Sequence, residues 1–211
     1  MSTASRRPTY ARYGIHELFE TISMGLISGA SSLLLNRFLP GGRGLVYKDG
    51  LQLSQKQVNA MLGVAEEVLS LAGRYGNLGT EVAACAIKDA DKYKHLRFGY
   101  KCGAAKGFFV IDPSGWIRTC NHSPRIVGHI FQDPIIDDMD YWNLFAEEQY
   151  KPATCKKCSL IDECDGGCRE VANILYGYPK EVDTTIVDKT TLKMKEKASY
   201  NNQDIHSLIK G

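Results

Sequence analysis

Four cysteines, Cys155, Cys158, Cys164 and Cys168, fall within fourteen residues, a sulfur density that hydrophobic packing does not call for. The Cys-x2-Cys step lets one tight turn aim two sulfurs at one centre, and the x5 step returns a third from a short loop. Gly166 and Gly167 remove the side chains that would hold the backbone away from a bound centre. At a helix start their N–H groups also favour the negative charge of thiolate ligands. Because the Gly-Gly turn separates Cys164 from Cys168, the fourth sulfur need not serve the same centre as the first three.

The chain has 211 residues, 44% of them hydrophobic, which suffices for one substantial core or two small ones. A net charge of +2 gives no electrostatic reason to expect a nucleic-acid partner. No apolar run approaches the length that spans a bilayer, and residues 1–7 lack the apolar stretch of a secretory signal, so a cytoplasmic protein without a membrane partner is expected. There, 7 cysteines, an odd number, point to metal ligation rather than to disulfides.

Residues 1–13 read as a basic, irregular leader. Helical spacing of Ile15, Leu18, Phe19, Ile22 and Leu26 predicts a helix over 15–27, with Gly29 as its stop. A strand is expected at 32–38, running into the glycine-rich turn Pro40, Gly41, Gly42, Arg43, Gly44. Ser54 and Gln57 form a capping box ahead of a helix whose apolar face carries Val58, Met61, Leu62, Ala65, Val68 and Leu69. Residues 80–87 read as a buried strand in which Cys85 is a small core residue, and 93–100 as a solvated linker.

Two strand-like runs, 107–112 and 116–120, flank a Pro-x-Gly turn at Pro113 and Gly115 and predict a β-hairpin that returns Cys120 to the side of Cys102. A third run covers 125–131, with His122 and His129 placed near that cysteine pair. A helix is expected over 139–150, anchored by Tyr141, Trp142, Leu144 and Phe145. Trp116 and Trp142 read as core, His16, His95 and His206 as surface. A last helix at 168–176 ends at Gly177, ahead of a polar tail at 183–211.

Cys102-x12-Gly115-x4-Cys120 followed by Cys155-x2-Cys158-x5-Cys164-x3-Cys168 resembles the SPASM domain of radical S-adenosylmethionine (SAM) maturases. The region from Asn36, Arg37 and Phe38 through Pro40, Gly41, Gly42 and Arg43 is similar to the last part of the radical SAM barrel in the same proteins. The resemblance covers roughly residues 10–178. It implies an α/β fold: a partial, incomplete β/α barrel at 14–95, then a small α+β SPASM domain at 96–182 with a β-hairpin and a Cys-rich knot. It further implies two auxiliary 4Fe-4S clusters, the first on Cys102, Cys120 and Cys168, the second on Cys155, Cys158 and Cys164. Arg37 and Arg43 would lie at the SAM or substrate end of the barrel.

Two features depart from the family pattern. No cysteine precedes Cys85, so the Cys-x3-Cys-x2-Cys motif of the SAM-cleaving cluster is absent, and no cysteine follows Cys168. Asp183 or Asp188 could replace that last ligand, and Cys85 could complete the first cluster if it is not left open to a substrate or small thiol. The expected function is therefore the auxiliary iron–sulfur portion of a maturase acting on a peptide or small molecule. SAM would be a cofactor only where a partner chain supplies the radical SAM half. The alternatives are a stand-alone electron-transfer or substrate-recognition module, and a structural zinc protein. Zinc in the knot leaves the matching spacing of Cys102 and Cys120 without a role.

Overall fold

The computed structural model describes residues 5–6, 9–10 and 12–180 of the chain. The architecture is mixed α/β, with one parallel and one antiparallel sheet, and the parallel sheet does not close into a barrel among the described residues. Among the described residues no helix is long and apolar enough to cross a membrane.

The parallel sheet is built on β3 (Ser32–Arg37), which pairs on one side with β4 (Tyr75–Leu78) and on the other with β1 (Ser5–Arg6) and β2 (Thr9–Tyr10). β5 (Leu96–Arg97) pairs with β4 and forms the far edge. Along β3 alternate residues are buried, and Leu33 and Leu35 enter the core. Helices α1 (Leu18–Ile27) and α3 (Gln55–Leu71) cover that face, with the short α2 (Lys48–Leu51) between them in sequence. The capping box closes as expected: Ser54 Oγ accepts from the Gln57 N–H at 3.3 Å and Gln57 Oε1 accepts from the Ser54 N–H at 3.0 Å. Val58, Met61, Leu62, Ala65 and Leu69 are fully buried beneath it.

Three local expectations differ from the structure. The stretch read as a leader contributes β1 and β2, so β3 is a central strand and not an open edge. Ladder pairing satisfies main-chain groups, and a two-residue strand is too short to show side-chain periodicity, so nothing in the residue pattern marks it. Residues 80–87 do not form a strand. The chain leaves the sheet after Leu78 and crosses the strand ends through a 3-10 turn, Ala84–Ala86, burying Val82, Ala83, Ala86 and Ile87 on the way. Their apolar character reflects burial alone. Residues 93–100 are not a solvated linker. The Glu66 carboxylate of α3 accepts N–H bonds from Lys94, His95 and Leu96, fixing the entry to β5, while Tyr93 and Leu96 are buried. His95 is half-buried, paired with Glu66 at 3.1 Å and stacked on Tyr75.

The second unit is an antiparallel sheet, β6 (Val110–Ile111), β7 (Trp116–Arg118) and β8 (Gly128–His129), in that order. Its hairpin turn is held by Asp112, whose Oδ1 accepts from the N–H of Ser114 and of Trp116, with Gly115 at φ +90°. α4 (Met139–Ala146) is shorter than 139–150 and buries Tyr141 and Phe145, while Trp142 is half-buried against Phe109. Trp116 is 37% exposed at the sheet's rim, against His129. α5 (Arg169–Tyr176) follows the Cys-rich knot and ends at Gly177 in a left-handed cap. The tail at 183–211 lies outside the described residues.

Gly128 packs against the backbone of Ile135 so closely that a Cβ would overlap its carbonyl oxygen. Gly128→Ala is expected to destabilise the protein by about 2 kcal/mol or more, read as a lowered midpoint in chemical denaturation.

Candidate metal centres

The knot is shaped by two left-handed glycines, Gly166 at φ +74° and Gly167 at φ +95°, between Cys164 and Cys168. Arg169, fully buried, donates from Nη2 to the Gly166 carbonyl at 2.6 Å, from Nε to the Gly167 carbonyl at 3.0 Å and from Nη1 to the Pro179 carbonyl at 3.0 Å. With its carbonyl held there, Gly166 turns its N–H to the Cys164 sulfur at 3.4 Å. A Cβ built on Gly166 would lie 3.3 Å from Pro152 Cγ, 3.5 Å from Arg169 Nη2 and 3.6 Å from the Cys155 sulfur, so the Cys155 and Cys164 sulfurs both lie beside the Gly166 backbone. Cys158, half-buried, is on the same turn as Cys155, its N–H donating to the Cys155 carbonyl at 2.9 Å.

Cys102, Cys120 and Cys168, from three separate parts of the chain, wall a cavity of about 430 Å³ between the two sheets. Arg37, Thr80, Glu81, Phe108, His122 and Glu170 complete the polar and aromatic part of that wall. Burial, reinforced by the charge of Glu81, pushes the Cys102 thiol up to about 12. Burial followed by the charges of Glu170 and Cys168 pushes Cys120 up to about 12 as well. Thiols so placed become thiolates only against a cationic partner. His122 is shifted the other way, its protonation disfavoured by burial and then by Arg37.

The two groups of thiols are joined by Asp165, which is fully buried. Its Oδ2 accepts from the Cys102 N–H at 2.6 Å and from the Tyr150 hydroxyl at 2.8 Å, and its own N–H donates to the Tyr100 carbonyl at 2.9 Å. Oδ1 lies 3.6 Å from the Lys151 ammonium. Beside this joint Glu148 collects Lys106 at 2.7 Å, Lys101 at 3.0 Å and Lys151 at 3.5 Å.

Arg37 is buried in the cavity wall, with Nη2 donating to the Glu81 carbonyl at 3.3 Å. Arg43 is exposed on the 3-10 turn Gly42–Tyr47 and is not among the residues that wall the cavity. Cys85 is half-buried against the larger core, and the neighbouring Ala84 N–H donates to the Cys164 sulfur at 3.4 Å. Its segment therefore abuts the knot and not the thiol-walled cavity. His129 sits at the hairpin turn, where Nε2 meets the Ser114 carbonyl at 2.9 Å. Asp183 and Asp188 lie outside the described residues. Glu81, Asp165 and Glu170 were missed in the sequence because single acidic residues carry no periodic or spacing signal.

The donor set is soft and thiolate-rich, the chemistry that suits iron–sulfur clusters or zinc. Among the described residues no three Cys, His, Asp or Glu side chains meet closely enough to hold a single metal ion. A cluster takes its thiolates on different irons, farther apart than the about 3.8 Å between sulfurs that a Zn–S bond of about 2.3 Å implies. Three thiols line one cavity of about 430 Å³, room for a group larger than a single ion, and the Cys155 and Cys164 sulfurs both lie beside the Gly166 backbone. A comparison with protein-family models finds no match to this chain, and a comparison with curated proteins finds none.

Asp165→Ala is expected to cost on the order of 3 kcal/mol, since the Cys102 N–H and Tyr150 hydroxyl lose their buried acceptor, whereas Tyr150→Phe costs about 1 kcal/mol; denaturant titration measures both. The Lys106 hydrogen bond, against opposing burial, holds the Glu148 carboxyl down at about 2, from an ordinary 4.5. A depressed carboxyl stabilises fully above its unfolded value. The stability difference between wild type and Glu148→Gln should therefore be constant above pH about 4.5 and vanish as pH falls through about 2, with a carboxyl NMR titration giving the midpoint directly.

Proposed function

We propose that the chain is the auxiliary, two-cluster portion of a radical SAM maturase, with α1, β3, α3, β4 and β5 as part of a β/α barrel and residues 101–180 as a SPASM domain. The observation that carries this reading is that Cys102, Cys120 and Cys168, 66 positions apart from first to last, wall one cavity, in the grouping the resemblance implies for the first cluster. The second group draws on Cys155, Cys158 and Cys164, and the approach of Cys155 and Cys164 at Gly166 supports it. When bound, 4Fe-4S clusters supply one-electron relay chemistry or an open iron for substrate.

The residues of this chain do the holding. Asp165 ties the Cys102 main chain to the knot, so the thiols of both groups keep a fixed separation. Arg169 locks the Gly-Gly turn through the Gly166 and Gly167 carbonyls and so sets the backbone beside the second centre. Arg37 puts a buried positive charge on the cavity wall, where an anionic part of SAM or of the substrate would be drawn. Exposed Arg43 would meet only a partner. The Cys-x3-Cys-x2-Cys motif does not occur in these 211 residues, so SAM cleavage is assigned to a partner carrying it, which would extend the parallel sheet at the β1 and β2 edge. A peptide or small molecule is the substrate, and a reducing cytoplasm suits the thiolates.

Anaerobic purification with iron and acid-labile sulfide analysis tests the reading. We expect a brown protein with about eight irons per chain, losing about half of them in Cys102→Ser/Cys120→Ser and the other half in Cys155→Ser/Cys158→Ser. Colourless protein that carries zinc and no sulfide would overturn it.

A further inference from the structure

α5 opens with two buried residues of opposite charge, Arg169 and Glu170, and their surroundings differ. Arg169 is surrounded by backbone carbonyls. Glu170, only 1% exposed, faces the cavity walled by Cys102, Cys120 and Cys168. Its Oε1 accepts from the Thr119 hydroxyl at 3.1 Å and the Tyr141 hydroxyl at 2.9 Å, and its Oε2 from Tyr141 at 3.0 Å and the Asn173 amide at 3.1 Å. The Asn173 amide also donates to the Tyr141 oxygen at 2.8 Å, which orients that hydroxyl toward the carboxylate.

Two consequences follow from this geometry. Both carboxylate oxygens are occupied by donors, so Glu170 is poorly placed to turn an oxygen to a metal. All of those donors are neutral, and the Arg125 guanidinium, which lies 4.6 Å over the Tyr141 ring, pairs with Asp138 and not with Glu170. A negative charge beside a cluster opposes the arrival of an electron, and for a carboxylate as buried as Glu170 that opposition is weakly screened.

Resting on the cluster reading above, we propose that Glu170 is a redox-tuning residue. Its fixed charge selectively lowers the reduction potential of the centre held by Cys102, Cys120 and Cys168, and Thr119, Tyr141 and Asn173 set how much of that charge the centre feels. The hydrogen-bond donors draw charge off the carboxylate, so they and the carboxylate act in opposite directions. That opposition separates a tuning role from a structural one.

The test is a potentiometric titration, followed by electron paramagnetic resonance, of the anaerobically reconstituted full chain. Glu170→Gln, which keeps the shape of the side chain, should raise the potential of one centre and leave the other where it stands in the wild type. Tyr141→Phe, which keeps the charge and removes a donor, should shift the same centre downward. The responding signal should be the one lost in Cys120→Ser. Unchanged potentials in Glu170→Gln, or an equal shift of both centres, would overturn the assignment. Should Glu170→Gln fail to take up clusters, an unmoved or raised potential in Tyr141→Phe overturns it equally. Wild-type protein that forms no clusters sinks the cluster reading itself, whereas two clusters indifferent to both substitutions sink only the role of Glu170.

Discussion

The hydrogen bond from the Cys102 N–H to the Asp165 carboxylate is the contact on which the rest of the site depends. It joins the approach to the hairpin to the knot across 63 positions of sequence, and it is made by a side chain with no solvent exposure. Charge-assisted bonds of this kind are short and directional. Tyr150 adds a second donor to the same oxygen, and the Asp165 N–H reaches Tyr100 at the end of the first unit. One residue between two cysteines thus fixes three chain segments against each other.

Around that joint the two thiol groups are positioned by different means. The cavity thiols depend on long-range assembly: Cys102 precedes the turn at Gly103–Phe108 that leads toward β6, Cys120 follows the end of β7, and Cys168 arrives as the cap of α5. Knot thiols depend on local backbone. Two left-handed glycines and a buried guanidinium decide where Cys155 and Cys164 face, with little help from the hydrophobic cores. The larger core beneath α1 and α3 supplies a base to which the Ala84–Ala86 turn is anchored, and that turn offers an N–H to Cys164.

The electrostatics of the cavity are uneven. Glu81, Glu170 and three thiols share a wall with Arg37 and a His122 that burial keeps from charging. Burial of this set makes the Cys102 and Cys120 thiolates costly until a cation arrives and so favours the thiol form of both. The same burial makes a single fixed carboxylate effective at a distance.

Local chemistry in the sequence determined a good deal. Ser54 and Gln57 specified a helix start, the Pro113 to Gly115 turn specified a hairpin, and Gly177 ended α5. Each rests on groups within a few residues of one another, so periodicity and turn chemistry suffice to read it. The tertiary structure alone decided that residues 5–10 pair with β3, that 80–87 cross the sheet as a loop, and that Arg37 enters the cavity while Arg43 stays outside. It alone brought Asp165 to Cys102 and Glu170 to Cys120. Backbone ladders and isolated buried carboxylates take their meaning from partners distant in the chain, and no window of sequence contains both halves of such a pair.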